Sequence, residues 1–173
     1  DLPVSDAGNT PLDYLEAEGK TYASQGAAQA CKLALGISAA GLDPRDFHGI
    51  NLVHSITGHY ITTTGTFDIG TNNTAQSLCI LALDASVEPI PHKAIAVLQD
   101  RQESDGGWMA DPSAPWTSES DSNTTALVIQ ALIAAGADPA ATTIRDGLTF
   151  LQSLQFDDGG FGYSTRFATT GDA

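Results

Sequence analysis

The segment LQDRQESDGGW from Leu98 returns 53 residues later as LQSLQFDDGGF from Leu151, with Leu, Gln, Gln, Asp, Gly, Gly and an aromatic in register. A chain built this way is restricted to architectures in which copies of one supersecondary unit stack on one another. A second block alternates with the first. It reads NNTAQSLCILAL from Asn72, SNTTALVIQALIAAGADP from Ser122 and, more loosely, GAAQACKLALGISAAGLDP from Gly26. A degenerate copy of the first block closes at Gly65-Thr66-Phe67, after Tyr60. Two alternating units predict an array of helical hairpins.

Each unit has a readable physical cause. In the first, Ile144, Leu148, Leu151 and Leu154 fall at helical steps and predict one apolar stripe, with Thr143, Arg145, Asp146 and Gln152 on the wet side. Ile95, Leu98 and Gln102 repeat it, as do Val53, Ile56 and Tyr60. The Asp-Gly-Gly that follows reads as a helix stop, because Gly adopts positive φ without strain. The second unit starts with N-capping residues and then runs through small and apolar residues on nearly every face, so its helix should be buried. It stops at Gly136 and Asp138-Pro139, and earlier at Gly41 and Asp43-Pro44. Outer helices are expected near 12–23, 47–62, 91–103 and 141–156, and inner ones near 25–40, 73–86 and 123–135. The fold class is therefore all-α, with an inner and an outer layer. Residues 1–10 read as an extended lead-in, followed by repeats of about 11–46, 47–90, 91–140 and 141–173.

Charge excludes several function classes. Lys plus Arg number 7 against 21 Asp plus Glu, a formal net charge of -14. Such a chain repels a phosphate backbone and an anionic membrane surface, both of which need clustered cations. No apolar stretch approaches the length that spans a bilayer. A start at Asp1 without Met, and three Lys among many Ser, Thr, Ala and Gly, lead us to expect an exported, trimmed product, secreted or at the cell surface. Asn72-Asn73-Thr74 and Asn123-Thr124-Thr125 are glycosylation triplets in a host that glycosylates. The two cysteines have no metal-motif spacing. Cys31 and Cys79 fall in neighbouring inner helices, and either a disulfide or two buried thiols is compatible with that.

The pairs Gln99/Gln102 with Asp105-Gly106-Gly107-Trp108 and Gln152/Gln155 with Asp158-Gly159-Gly160-Phe161, together with the Asn-x-Thr-Ala-type inner-helix starts, resemble the prenyltransferase and squalene-cyclase repeat. The resemblance runs from about Pro11 onward and is nearest to secreted bacterial proteins of that class, which often carry further cell-surface domains. It implies an α/α toroid, usually of about six hairpins, in which the Gln–aromatic motifs tie neighbours together. The family's chemistries are not matched here residue by residue. The segment Ser118-Glu119-Ser120-Asp121-Ser122-Asn123 lacks the Asp-x-Asp-Asp acid of triterpene cyclases. Neither cysteine has the Asp and His partners of a prenyltransferase zinc site, and the basic diphosphate cluster is lacking. Ala30-Cys31-Lys32 is not the thioester segment of complement-type domains. Cobalamin carriers use a related toroid without catalysis, and nothing local decides for or against that reading.

No catalytic residue and no metal ligand is assigned. Trp108 and Phe161 read first as packing between hairpins. Trp116 sits in the polar insert 111–119, and the equivalent segments after Phe67 and Phe161 contain Asp68 and Tyr163. These joins should gather at the end of the ring where the inner-helix N-termini point, which offers a ligand site. The candidate ligand-binding residues are Trp116, Tyr163, Trp108, Glu119 and Asp121. Asp105, Asp111, Asp157 and Asp158 concentrate near the same end; calcium would want such carboxylates, but no motif supports it, and capping is the simpler reading. His48, His54, His59 and His92 read as surface polar groups. No cofactor is expected.

Only about three and a half hairpins are present, and no polar capping unit closes the array. Either the chain is a piece of a longer one, which we favour, or its open edge is covered by a protein partner or by copies of itself. The expected function is ligand or partner binding, or surface assembly, without catalysis. The leading alternative is part of a terpene cyclase or prenyltransferase-like enzyme with its catalytic residues elsewhere; cobalamin-carrier-like binding is a second.

Overall fold

The computed structural model describes residue 5 and residues 7–67, 70–114 and 118–167. Seven helices and no strand form among them: α1 (Pro11–Ala23), α2 (Ala27–Ala39), α3 (Leu52–Gly58), α4 (Asn73–Ala85), α5 (His92–Asp100), α6 (Ser122–Ala134) and α7 (Thr142–Ser153). α2, α4 and α6 lie in a row. α1 and α3 pack on α2, α5 fills the groove between α4 and α6, and α7 packs on α6. The protein is all-α, an arc of an α/α toroid with an inner and an outer layer. None of these helices is long and apolar enough to cross a membrane.

Small side chains let the inner row pack closely. Ala27, Ala30, Cys31, Ala34 and Ile37 of α2, Cys79, Ile80 and Ala82 of α4, and Val128, Ala131 and Leu132 of α6 are buried. Fully burying a Leu or Ile contributes roughly 2 kcal/mol, so this row carries much of the stability. Cys31 and Cys79 are joined by a disulfide that links α2 to α4, with Cα atoms 5.0 Å apart.

The ends of the inner helices follow their sequence signals. Asn72 and Asp121 cap α4 and α6 by accepting from Ala75 N at 2.7 Å and Thr124 N at 2.8 Å. Gly41 and Gly136, at φ +77° and +87°, close α2 and α6 with paired bonds, Leu42 N to Ile37 O and Ala137 N to Leu132 O. α4 ends in the same motif, but the left-handed position is held by Val87.

Four expectations change. The Asp-Gly-Gly segments do not stop the outer helices: α5 and α7 end at Asp100 and Ser153, with Arg101 and Leu154 as C-caps, and Gly106 and Gly159 lie in a separate turn beyond each. In it Glu103 N donates to Gly107 O and Phe156 N to Gly160 O, while Asp105 and Asp158 each accept from the second glycine's N at 2.9 Å. The apolar stripe of α7 is rotated. Ile144, Gly147 and Phe150 are buried with the following Leu154, while Leu148 is exposed, because Gly147 must face the Trp108 ring. α3 covers only seven of the sixteen residues expected, since Phe47–Ile50 form a turn and Asn51 caps the helix. Within the lead-in expected to be extended, Ser5, Gly8 and Asn9 close a turn with Gly8 at φ +84°. Residues 1–4 and 6 of that lead-in, Asp68, Trp116 and the chain end 168–173 lie outside the described residues.

Candidate functional site

The segments that follow the repeat aromatics run back over the N-termini of the preceding inner helices. Asn73 N donates to Ala110 O and Ser122 N to Tyr163 O, both at 2.8 Å, and Asn73 Nδ2 reaches Met109 O at 2.9 Å. The joins do meet the inner-helix N-termini at one end of the arc. At α4 and α6 most of the first-turn amides are engaged within the protein, so these two ends do not form the open donor cluster that a ligand would use; α2, capped by Gly26, has no side-chain cap. Arg101 reinforces this end by donating to Thr71 O at 3.0 Å and Asn73 Oδ1 at 3.1 Å. Asp111 accepts from Thr71 Oγ1 and from Ser113 N and Oγ; the Thr71 bond does most to hold its carboxyl below the usual range, with the Ser113 bonds and the Arg101 charge helping against partial burial.

Of the residues expected to bind a ligand, Tyr163, Glu119 and Asp121 come together. Partial burial, and then the charges of Asp121 and Glu119, push the Tyr163 hydroxyl upward. Tyr163 is exposed and stacks against Phe167 at 6.4 Å between centroids, with the Arg166 guanidinium 5.6 Å from the Phe167 ring. Asp121 is buried, with one oxygen held by the α6 cap. Trp116 is outside the described residues. Trp108 must be removed from the set: it is 0% exposed, its Nε1 donates to Leu98 O at 2.7 Å, and Gly147 lies against its ring. A ring enclosed by three elements has no face left for a ligand.

Asp105 accepts from Ser120 Oγ as well as Gly107 N, so this carboxylate is engaged in holding its turn. Among the described residues no group of three or more His, Cys, Asp or Glu is placed to hold a metal. Asn72 and Asn123 are both exposed.

The largest departure from expectation is Phe161. It was expected to pack between hairpins, yet it is 52% exposed. With Ser122, Asn123, Ala126, Leu127, Gln130 and Leu151 it lines an open groove of about 380 Å³ along α6. Leu148, Tyr163 and Phe167 are exposed on the same last repeat. The repeat motif alone gave Phe161 the packing role of its counterpart Trp108, although among the described residues only Trp108 has a following hairpin over it.

Comparison with known proteins agrees with this architecture. No curated protein matches the chain. Residues 58–172, well over half of the 173, match the model of the squalene-hopene cyclase C-terminal domain. With its seven-helix, two-layered arc, the chain belongs to the squalene-hopene cyclase C-terminal domain family.

Proposed function

We propose that this chain is a binding or assembly module of its family, exported or displayed at the cell surface and without catalysis of its own. The observation that carries this reading is the apolar groove along α6, where Phe161 is 52% exposed, together with the exposed Leu148 of α7. Surface of that kind is costly in water unless something covers it. The disulfide between α2 and α4 supports an oxidising compartment, and the exposed Asn72 and Asn123 are open to glycans in a host that adds them. The exposed Tyr163, near Glu119 and the cap of α6, is a second candidate contact at the end of the arc. No cofactor enters this reading, calcium included, and the partner is a protein or a small molecule rather than nucleic acid or membrane.

The family match itself favours a second reading, in which these residues are one part of a cyclase or prenyltransferase-like enzyme whose acid lies elsewhere. Carriage of a small molecule in the manner of the cobalamin carriers is a third. The test is to incubate the purified chain with squalene and, separately, with a prenyl diphosphate, and to analyse products by gas chromatography with mass detection. Unchanged substrate in both is expected. Turnover lost on mild heat treatment would overturn the non-catalytic reading.

A further inference from the structure

The sequence holds Asp-Gly bonds at Asp105-Gly106, Asp146-Gly147 and Asp158-Gly159, and no Asn-Gly. An Asp-Gly bond can rearrange without an enzyme. The glycine amide nitrogen bonds to the aspartate Cγ, and the carboxyl hydroxyl leaves with the amide proton as water. The resulting five-membered succinimide then takes up water at one of its two carbonyls. Opening at Cγ restores aspartate, while opening at the former main-chain carbonyl leaves the chain running through Cβ and Cγ, an isoaspartate. Nothing is oxidised or reduced, and the water lost is regained. Glycine favours the step because it has no Cβ to hinder the approach. Its amide must still turn out of any hydrogen bond that it makes, so the fold decides which of these bonds can react.

The three aspartates are alike in being exposed, but their glycines stand in different surroundings. Gly147 lies inside α7, where its amide belongs to the helical ladder, and a Cβ on it would sit 2.9 Å from the Trp108 ring and 3.0 Å from Ile129. Gly106 N donates to Glu103 O at 2.9 Å, in a turn that α7 holds shut. This glycine is buried, a Cβ on it would sit 2.6 Å from Asp146 O, and Gln102 Nε2 clamps Gly106 O to Thr143 O at 2.8 Å each. Asp105 is held twice, by Gly107 N and by Ser120 Oγ, both at 2.9 Å.

Gly159 N donates to Phe156 O at 2.9 Å in a turn of the same form. Here a Cβ would meet nothing within 4 Å, and Gln155 Nε2 reaches Gly159 O only at 3.4 Å. Asp158 accepts from Gly160 N at 2.9 Å, with no second donor among the described residues. Opening this turn breaks its own hydrogen bonds and displaces no packed neighbour, so it is the least costly of the three to open.

We propose that Asp158 is the site of isoaspartate formation in this protein, and that packing protects the chemically identical bonds at Asp105 and Asp146. The product adds one methylene to the main chain of the turn and moves the carboxylate away from Gly160 N. That turn carries Phe161, so the modification alters the wall of the groove along α6.

The test holds the intact chain at neutral pH and physiological temperature, folded and, separately, unfolded in guanidinium chloride. Isoaspartate at each site is followed by electron-transfer fragmentation of its peptides, which breaks the Cα–Cβ bond that isoaspartate places in the main chain. Each folded-state rate is divided by the rate of the same bond in the unfolded chain, which removes the effect of flanking residues. The ratio should be several times larger at Asp158 than at Asp105 or Asp146. Asp158→Glu keeps a carboxylate for Gly160 N but cannot close the five-membered ring, and it should abolish the signal. Equal ratios at the three sites, a larger ratio at Asp105 or Asp146, or no reaction at Asp158 in the folded protein while the unfolded chain reacts would each overturn the proposal. A signal that survives Asp158→Glu belongs to Asp157 and overturns it as well.

Discussion

Val87 closes α4 at φ +55° in the position that Gly41 and Gly136 occupy after α2 and α6, and it is 89% exposed. A β-branched residue there has its Cβ against the neighbouring backbone, and no packing offsets that strain. Val87→Gly should therefore stabilise the protein by about 1 kcal/mol, the relief exceeding the extra unfolded-state entropy of Gly. Equilibrium denaturation with an unchanged m-value checks it. Asp111 carries a pH dependence. Its carboxyl is held low chiefly by the Thr71 hydroxyl, then by Ser113 and Arg101. A depressed folded-state value gives stability that is complete above the unfolded carboxylate range, about pH 4, and is lost as pH falls through the folded value. Asp111→Asn should thus lower the melting temperature at neutral pH, and the gap to the parent should narrow steadily below about pH 4. A gap that stays constant down to pH 2 would refute this.

At the scale of elements, burial was legible where composition alone sets it. Helices such as α6, apolar on most faces, have only the inner row to occupy, and the Asn and Asp caps and the glycine stops at Gly41 and Gly136 fixed their ends. The phase of α7 was not legible, because Leu148 and Gly147 compete for the inward position and only the Trp108 ring, arriving from another repeat, decides between them. Gln76 was passed over for a similar reason. This buried side chain accepts from Phe67 N and donates to Gly65 O and Ala94 O, all partners distant along the chain. The disulfide is the strongest tie between elements. It closes a loop of 48 residues, for which chain entropy gives on the order of 4 kcal/mol. Both sulfurs are buried, so a mild reductant should leave the bond intact in the folded protein. Replacing both cysteines by Ala should lower stability by about 2–5 kcal/mol in chemical denaturation; a loss below about 1 kcal/mol would contradict that tie.

The whole molecule is an array in which an inner position and an end position differ although their residues match. Gly106 and Gly159 have nearly the same φ, +87° and +90°. Only Gly106 has α7 above it. Gly106→Ala should cost at least about 3 kcal/mol, through strain plus collision with Asp146 O, and Gly159→Ala only about 1 kcal/mol of strain. Equal losses would mean that the last turn is covered in solution, which thermal melts of the two variants over a range of concentrations would reveal. By itself the sequence determined the helical class, the alternation of layers, the seven elements and the family, because a hydrophobic period and a 53-residue repeat are local properties of the chain. Only the tertiary structure decided that Trp108 is enclosed and Phe161 open, that Cys31 meets Cys79, and that most first-turn amides of α4 and α6 are engaged. Each of these depends on which neighbour stands across from a residue, and identical motifs acquire different exposures once one has a following hairpin among these residues and the other has none.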